Sequence, residues 1–190
     1  TSLLVVMCIE KDVPSAKAVD NPAVAVAMGS DSDLPTLSPG IKFLEDFDIN
    51  LEVRILSAHR TPLEMINFAK GAKSRGIKII IAGAGGAAHL PGMIASLTSI
   101  PVIGVPIKSK ALSGVDSMHS ILQMPGGIPV ATVAIGGGLN AGILAAQILA
   151  LSDSNIDQKI YNYRKKLHKE VTKKDARISE IGTNKYLERM

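Results

Sequence analysis

"IKIIIAGAGGAAHLPGM", residues 77–93, is the stretch whose reading decides the fold. Ile77–Ala82 is a nearly continuous apolar run, which is how a strand covered on both faces reads. It empties into Gly83–Gly92, where seven of ten residues are Gly or Ala, and a helical pattern follows over 90–98. The same unit recurs outward along the chain. Strand-like runs occupy Ala23–Met28, Leu51–Leu56, Pro101–Val105 and Pro129–Ile135, with helical patterns near 33–47, 62–75, 113–123 and 139–151. Alternation of strand and helix with short connections predicts an α/β fold, a three-layer, doubly wound parallel sheet of five strands. The expected topology is flavodoxin-like, with strand order 2-1-3-4-5.

Local signals refine this outline. Thr61-Pro62-Leu63-Glu64 reads as a capping box that starts the second helix, and Ser113 as the cap of the fourth. Pro39-Gly40 falls inside the first helix, where a kink or break is expected. Beyond Ser152-Asp153-Ser154, the residues Ile156, Ile160, Tyr163, Leu167 and Val171 form one apolar seam on a basic and polar helix. Such a seam needs cover from its own domain or a neighbour, and a second short helix is expected at about 176–188. The chain thus divides into an unassigned N-terminal extension or linker (1–21), an α/β domain (22–153) and a C-terminal helical tail (154–190). The N-terminal segment, which opens on Thr1, is read as a presequence remnant or the end of an upstream domain.

Bulk composition narrows the function. With 190 residues the chain suits one well-buried domain. A single cysteine, Cys8, leaves no internal disulfide framework, fits a reducing compartment and reads as a packed thiol. The net charge of +4 is unevenly spread, because from Ile156 onward ten Lys and Arg face five Asp and Glu. The body before it is close to neutral and poor in aromatics, which argues against a nucleic-acid module. No apolar run has the length of a membrane span.

In an open parallel sheet the ligand site lies beyond the carboxyl ends of the strands. The loop after the first strand, Gly29-Ser30-Asp31-Ser32-Asp33, offers hydroxyls and helix-terminal amides to a phosphate, and carboxylates to sugar hydroxyls. An ordinary helix-capping loop would look the same. The loop after the second strand holds Ser57, Ala58, His59 and Arg60, which pairs a proton carrier with a permanently charged phosphate fork. The loop after the third lets backbone lie against a flat ligand and ends in His89. Later loops contribute Lys108-Ser109-Lys110 and Gln123-Met124-Pro125-Gly126-Gly127. Together they point to a small phosphorylated ligand and histidine-mediated proton transfer. A receiver domain would need an Asp where Gly83-Ala84 stands, a flavin carrier would need stacking aromatics, and a metal hydrolase would need His and carboxylates at ligand spacing. His119 and His168 fall on helices and read as structural.

The strings "MGSDSD", "SAHRTP", "IIAGAGGAAHLPGM", "PVIGVP", "GVDSMHSILQMPGGIPVATVAI" and "NAGILAAQILA" together resemble the class I PurE family over roughly residues 22–151. These are purine-biosynthetic enzymes known as phosphoribosylaminoimidazole carboxylase or N5-carboxyaminoimidazole ribonucleotide mutase. The resemblance implies conversion of N5-carboxyaminoimidazole ribonucleotide to 4-carboxy-5-aminoimidazole ribonucleotide, with transient release of carbon dioxide in the pocket. It implies His59 as general acid and base, and Ser30, Ser32, Asp33 and Arg60 as the grip on phosphate and ribose. Ser57 and Ala58 would line the base. Gly85, Gly86, Ala87, His89 and Leu90 would surround the migrating carboxylate.

Neither cofactor nor metal is implied. A homo-octamer in the cytoplasm is, or in a plastid for a plant source, without nucleic-acid or membrane partners. The tail looks like the end of fungal and plant versions that follow an ATP-dependent carboxylase in one polypeptide. Two alternatives stay open at this point: direct carboxylation of aminoimidazole ribonucleotide with carbon dioxide, and a catalytically silent nucleotide-binding scaffold.

Overall fold

The computed structural model describes residues 21–190, so Cys8 and all but the last residue of the N-terminal extension lie outside the described residues. Five parallel strands form one sheet in the order β2-β1-β3-β4-β5. They are β1 (Val24–Met28), β2 (Leu51–Ile55), β3 (Ile79–Gly85), β4 (Val102–Ile107) and β5 (Ala131–Thr132). The expected topology is the observed one, and β1 beside β3 is where the strand order switches.

Alternation along each strand divides the core. Val24, Val26 and Met28 of β1, with Ile79 and Ile81 of β3, face α1 (Leu34–Asp46) and α5 (Gly138–Ala150). Ala25, Ala27, Ile80 and Ala82 face the opposite layer of α2 (Pro62–Gly71), α3 (Leu90–Ala95) and α4 (Val115–Leu122). Both central strands are therefore buried on each face, which explains their unbroken apolar runs. The edge strand β2 is different. Val53 and Ile55 are exposed, and Glu52 is paired with Arg75 at 2.8 Å and Arg54 at 3.4 Å.

The fifth strand contracts from the expected Pro129–Ile135 to a two-residue ladder. Its register pairs Ile103 with Ala131 and Gly104 with Thr132, and one further amide bond runs from Val133 to Gly104. Pro129 has no N–H to extend the ladder in the other direction.

Pro39-Gly40 does not break α1, which runs through both residues. Proline removes the amide that would reach the carbonyl of Pro35, and the Ser38 hydroxyl donates to that carbonyl instead, at 3.1 Å. Gly40 has a packing reason. A Cβ there would collide with the Gly138 carbonyl, and one on Gly142 would lie 2.7 Å from the Gly40 carbonyl oxygen. The α1–α5 crossing is close because both helices present glycine.

Two expected caps also change. Thr61 does not cap α2 with its side chain; its hydroxyl turns back to accept from the Ser57 amide at 2.9 Å and donate to the Ser57 carbonyl at 3.2 Å. Ser113 does not cap α4, which starts after Gly114 in a left-handed conformation (φ +96°). There the Ser109 hydroxyl oxygen accepts the amides of Leu112 and Gly114.

The tail forms α6 (Ser154–Ile181) and α7 (Thr183–Leu187). Asp153 caps α6 through the amides of Asn155 and Ile156. Ile160 is buried, Ile156 and Tyr163 pack on the α1–α5 layer, and the Tyr163 ring meets Phe43 edge-on at 5.1 Å. Lys159 clamps the same end to the Phe47 carbonyl and to Asp48 at 2.7 Å. Farther along the seam, Leu167 is 43% and Val171 65% exposed. Among the described residues, the domain covers the first half of the seam and leaves the second exposed.

Candidate active site

Three loops meet above the switch point. After β1, Ser30 starts a short 3-10 turn at Asp31–Asp33 with a reciprocal capping box. The Ser30 hydroxyl accepts the Ser32 amide, and Asp33 Oδ2 accepts the Ser30 amide at 3.2 Å. The capping box thus stands here rather than at Thr61, and the capping and ligand readings of this loop describe the same residues. Asp33 is only 7% exposed. Burial pushes its carboxyl above the ordinary value of 3.8, and the Asp31 charge adds to this. Hydrogen bonds from the Ser30 and Gly29 backbone and the Ser32 hydroxyl oppose it.

After β2, the chain makes a turn that locks Arg60. The Ser57 hydroxyl accepts both the Arg60 amide and its Nε–H at 3.2 Å, while Nη2 donates to the Gly29 carbonyl at 2.9 Å. A guanidinium has five N–H groups; two of them fix its position, and Arg60 lines the site. Ser57 therefore acts on Arg60 through its hydroxyl, and Ser57 and Ala58 both line the site.

His59 and His89 meet across the site. His59 Nε2 lies 2.8 Å from His89 Nδ1, with the rings edge-on at 73°. One nitrogen donates and the other accepts, so a proton sits between two imidazoles that belong to different loops. His89 directly precedes α3, and Leu90 is buried beneath it.

Gly85, Gly86 and Ala87 close the third wall. Gly86 has φ +66°, a conformation that favours glycine.

These loops line an open cleft of about 550 Å³, within the range of small-molecule sites. All twelve residues singled out in the sequence line it: Ser30, Ser32 and Asp33; Ser57, Ala58, His59 and Arg60; Gly85, Gly86 and Ala87; His89 and Leu90. The fourth loop adds Lys108, Ser109 and Lys110, two cations that proximity to the other basic residues makes relevant to an anionic ligand. The 123–127 loop is not part of this wall. Met124 instead fills the space beside Gly92, where a Cβ would lie 2.5 Å from its sulfur. Ser109 also donates to Asp116 at 2.6 Å, and that hydrogen bond holds the Asp116 carboxyl below its ordinary value. Among the described residues no three or more His, Cys, Asp or Glu are grouped to hold a metal ion, and no helix is long and apolar enough to cross a membrane.

A phosphoribosylaminoimidazole carboxylase of Candida glabrata is 54% identical over 177 residues, 93% of this chain and 31% of that protein. An N5-carboxyaminoimidazole ribonucleotide mutase of Thermotoga maritima is 55% identical over 166 residues, 87% of this chain and 97% of that protein. The chain therefore spans about a third of the fungal relative and nearly all of the bacterial one. The crystal structure of Treponema denticola PurE superposes with a TM-score of 0.75 at 29% identity, covering 85% of this chain and 99% of that one. The family model for AIR carboxylase matches residues 23–170, from the residue before β1 into α6, and so takes in every loop of the cavity. By that match and those identities, the chain belongs to the AIR carboxylase family.

Proposed function

We propose that this chain converts N5-carboxyaminoimidazole ribonucleotide to 4-carboxy-5-aminoimidazole ribonucleotide in purine biosynthesis. The observation that carries the reading is the His59–His89 pair at 2.8 Å, in a cavity that the glycine loop and the locked Arg60 also line. Bacterial relatives of near-equal length bear the mutase name, which favours transfer from the N-carboxylate over direct carboxylation.

In this reading Arg60, Ser30 and Ser32 hold the phosphate, and Asp33 accepts from a ribose hydroxyl. His59 gives its proton to the exocyclic nitrogen as the N–C bond breaks and carbon dioxide is released. The enamine-like ring carbon then attacks that carbon dioxide. Loss of the ring proton to the same imidazole restores the aromatic ring and the catalyst. Atoms and charge balance without an added reagent, so the protein's share is proximity and exclusion of water. Gly85, Gly86, Ala87, His89 and Leu90 form the enclosure.

The same proposal includes a homo-octamer, in which the exposed half of the α6 seam lies on a neighbouring subunit. It also includes an upstream ATP-dependent carboxylase domain in a longer chain, supported by fungal relatives of which this sequence covers about a third. A cytoplasmic location fits the single cysteine.

An ultraviolet assay tests the activity. The purified protein is given the N5-carboxylated nucleotide in one cell and the uncarboxylated nucleotide with bicarbonate in another. Product formed rapidly from the first, with no requirement for bicarbonate, is expected. Turnover of the second alone would replace the mutase reading with direct carboxylation, and turnover of neither would leave a scaffold.

A further inference from the structure

The glycine wall of the cavity has little chemistry of its own to hold its shape, yet Gly86 sits in a left-handed conformation with both backbone groups engaged. Its N–H donates to the Ser117 hydroxyl at 2.8 Å, and its carbonyl accepts from the Ser120 hydroxyl at 3.3 Å. Both serines are on α4, some thirty residues away in sequence, and neither is part of the cavity wall.

Ser117 is fully buried (0% exposed). A serine inside a helix commonly bonds the carbonyl one turn back, and Ser120 does so to Asp116 at 2.9 Å. Ser117 does not. Its hydroxyl donates to the carbonyl of Ile107 at 2.7 Å while accepting from Gly86. Ile107 is the last residue of β4 and pairs in register with Gly85 of β3. One hydroxyl therefore ties together the two strand ends at which the glycine loop and the Lys108-Ser109-Lys110 loop leave the sheet. The adjacent Asp116 accepts from Ser109 at 2.6 Å and fixes the second loop from the same helix end.

We propose that Ser117 is a positioning residue for carboxylate transfer, because its hydroxyl, bonded to Gly86 and Ile107, sets the glycine loop against the ligand so that released carbon dioxide is held until the ring carbon captures it. The inference rests on the mutase reading above. It separates two things that one site must do: the first two loops bind the nucleotide, and Ser117 governs whether the carbon dioxide stays. Loss of the hydroxyl leaves the nucleotide grip in place and opens a leak. The Gly86 amide, already used by Ser117, is withdrawn from direct ligand binding.

The test follows the carboxylate by isotope. Nucleotide labelled with carbon-13 in its N5-carboxylate is turned over in unlabelled bicarbonate, and the label retained in product is compared with the uncarboxylated nucleotide released, after subtraction of the enzyme-free rate. The wild-type protein is expected to retain its label. In Ser117→Ala the ratio of released to transferred carboxylate is expected to rise about tenfold, the size of one lost buried hydrogen bond, with KM changed little. A general loss of folded enzyme lowers both rates and leaves their ratio unchanged. Should the alanine variant not fold, Ser117→Thr, which keeps the hydroxyl, and Ser117→Cys, which replaces it with a weak donor, decide the matter. Threonine is expected to partition like wild type and cysteine to leak. A wild-type ratio in Ser117→Ala or Ser117→Cys overturns the inference, whereas a wild-type protein that transfers nothing overturns the mutase reading first.

Discussion

The two halves of the cavity are stabilised in opposite ways. The half formed after β1 and β2 holds itself: Ser30 and Asp33 cap one another, Ser57 and the Gly29 carbonyl lock Arg60, and Thr61 folds back onto Ser57. Most of those bonds join residues within four positions of each other. The half formed after β3 is nearly bare of side-chain polarity and is held from outside, by hydroxyls of α4. In the proposed reaction the charged ligand groups meet the local, polar half, and carbon dioxide, which offers no charge to grip, would be retained by the shape that packing imposes on the other.

The comparison makes predictions that differ in size. The largest concerns the bridge between the halves. His59→Asn is expected to lower kcat about 10²–10⁴-fold with KM within threefold, by steady-state assay and direct titration of the nucleotide. Near-normal turnover would remove His59 as the proton carrier. Next comes the self-held half: Arg60→Ala is expected to raise KM about 30–100-fold, the loss of a charge-assisted bidentate contact. Arg60→Lys should fall between that and wild type, since a point charge replaces a fork. If kcat drops and KM does not, the division between grip and enclosure is wrong.

A smaller effect is a change of pH dependence at Asp33. Its folded value is raised by burial, so the carboxylate that the proposed function assigns to a sugar hydroxyl is lost at higher pH than an ordinary Asp would lose it. KM should therefore rise as pH falls, starting above 3.8. Asp33→Asn should lack that acid limb in the KM profile. The stability linkage has the opposite sense. The folded state holds this proton more tightly than the unfolded chain, so Asp33 favours folding most below 3.8 and loses that effect as pH climbs through the raised folded value. The smallest effect is at Ser120. Its 3.3 Å bond to Gly86 is shared with Asp116, and Ser120→Ala should change carboxylate retention by less than about threefold.

The sequence could be read for the residues of both halves and not for the bonds that hold them. The strands were legible because continuous apolar runs have one explanation in a sheet covered on both faces, and strand order followed. Residues of both halves were legible from their types and from the motif strings that contain them, Gly85–Leu90 as much as Ser30–Asp33 and Ser57–Arg60, while the bonds that hold Ser57 to Arg60 were not. What failed was the choice of partner for each hydroxyl. Thr61 looked like a cap and instead bonds Ser57; Ser113 looked like a cap, while Ser109 supplies the contacts. Pro39-Gly40 looked like a break because neither the Ser38 hydroxyl bond nor the glycine facing Gly40 from α5 can be seen in a linear pattern. Ser117 carried no signal at all, since a serine that joins two strand ends from a third element looks like any helical serine. Lys108-Ser109-Lys110 was noticed as a loop, but only topology brings it to the cavity.

The half-covered seam of α6 has a consequence for amide exchange. The helix of 28 residues is about 42 Å long at 1.5 Å per residue, and only the end that carries Ile156, Ile160 and Tyr163 is packed on the domain. Amides in that end open with the core and should exchange slowly. Among the described residues, those beyond Leu167 lie outside the packed end of the helix, and an isolated polar helix of that length is marginal in water. In the single chain the exchange rate should therefore climb steeply along α6, with its step near Arg164. A flat, slow profile over the whole helix would be the imprint of a second surface laid against Leu167 and Val171. One helix thus serves as a graduated scale on which the state of assembly can be read.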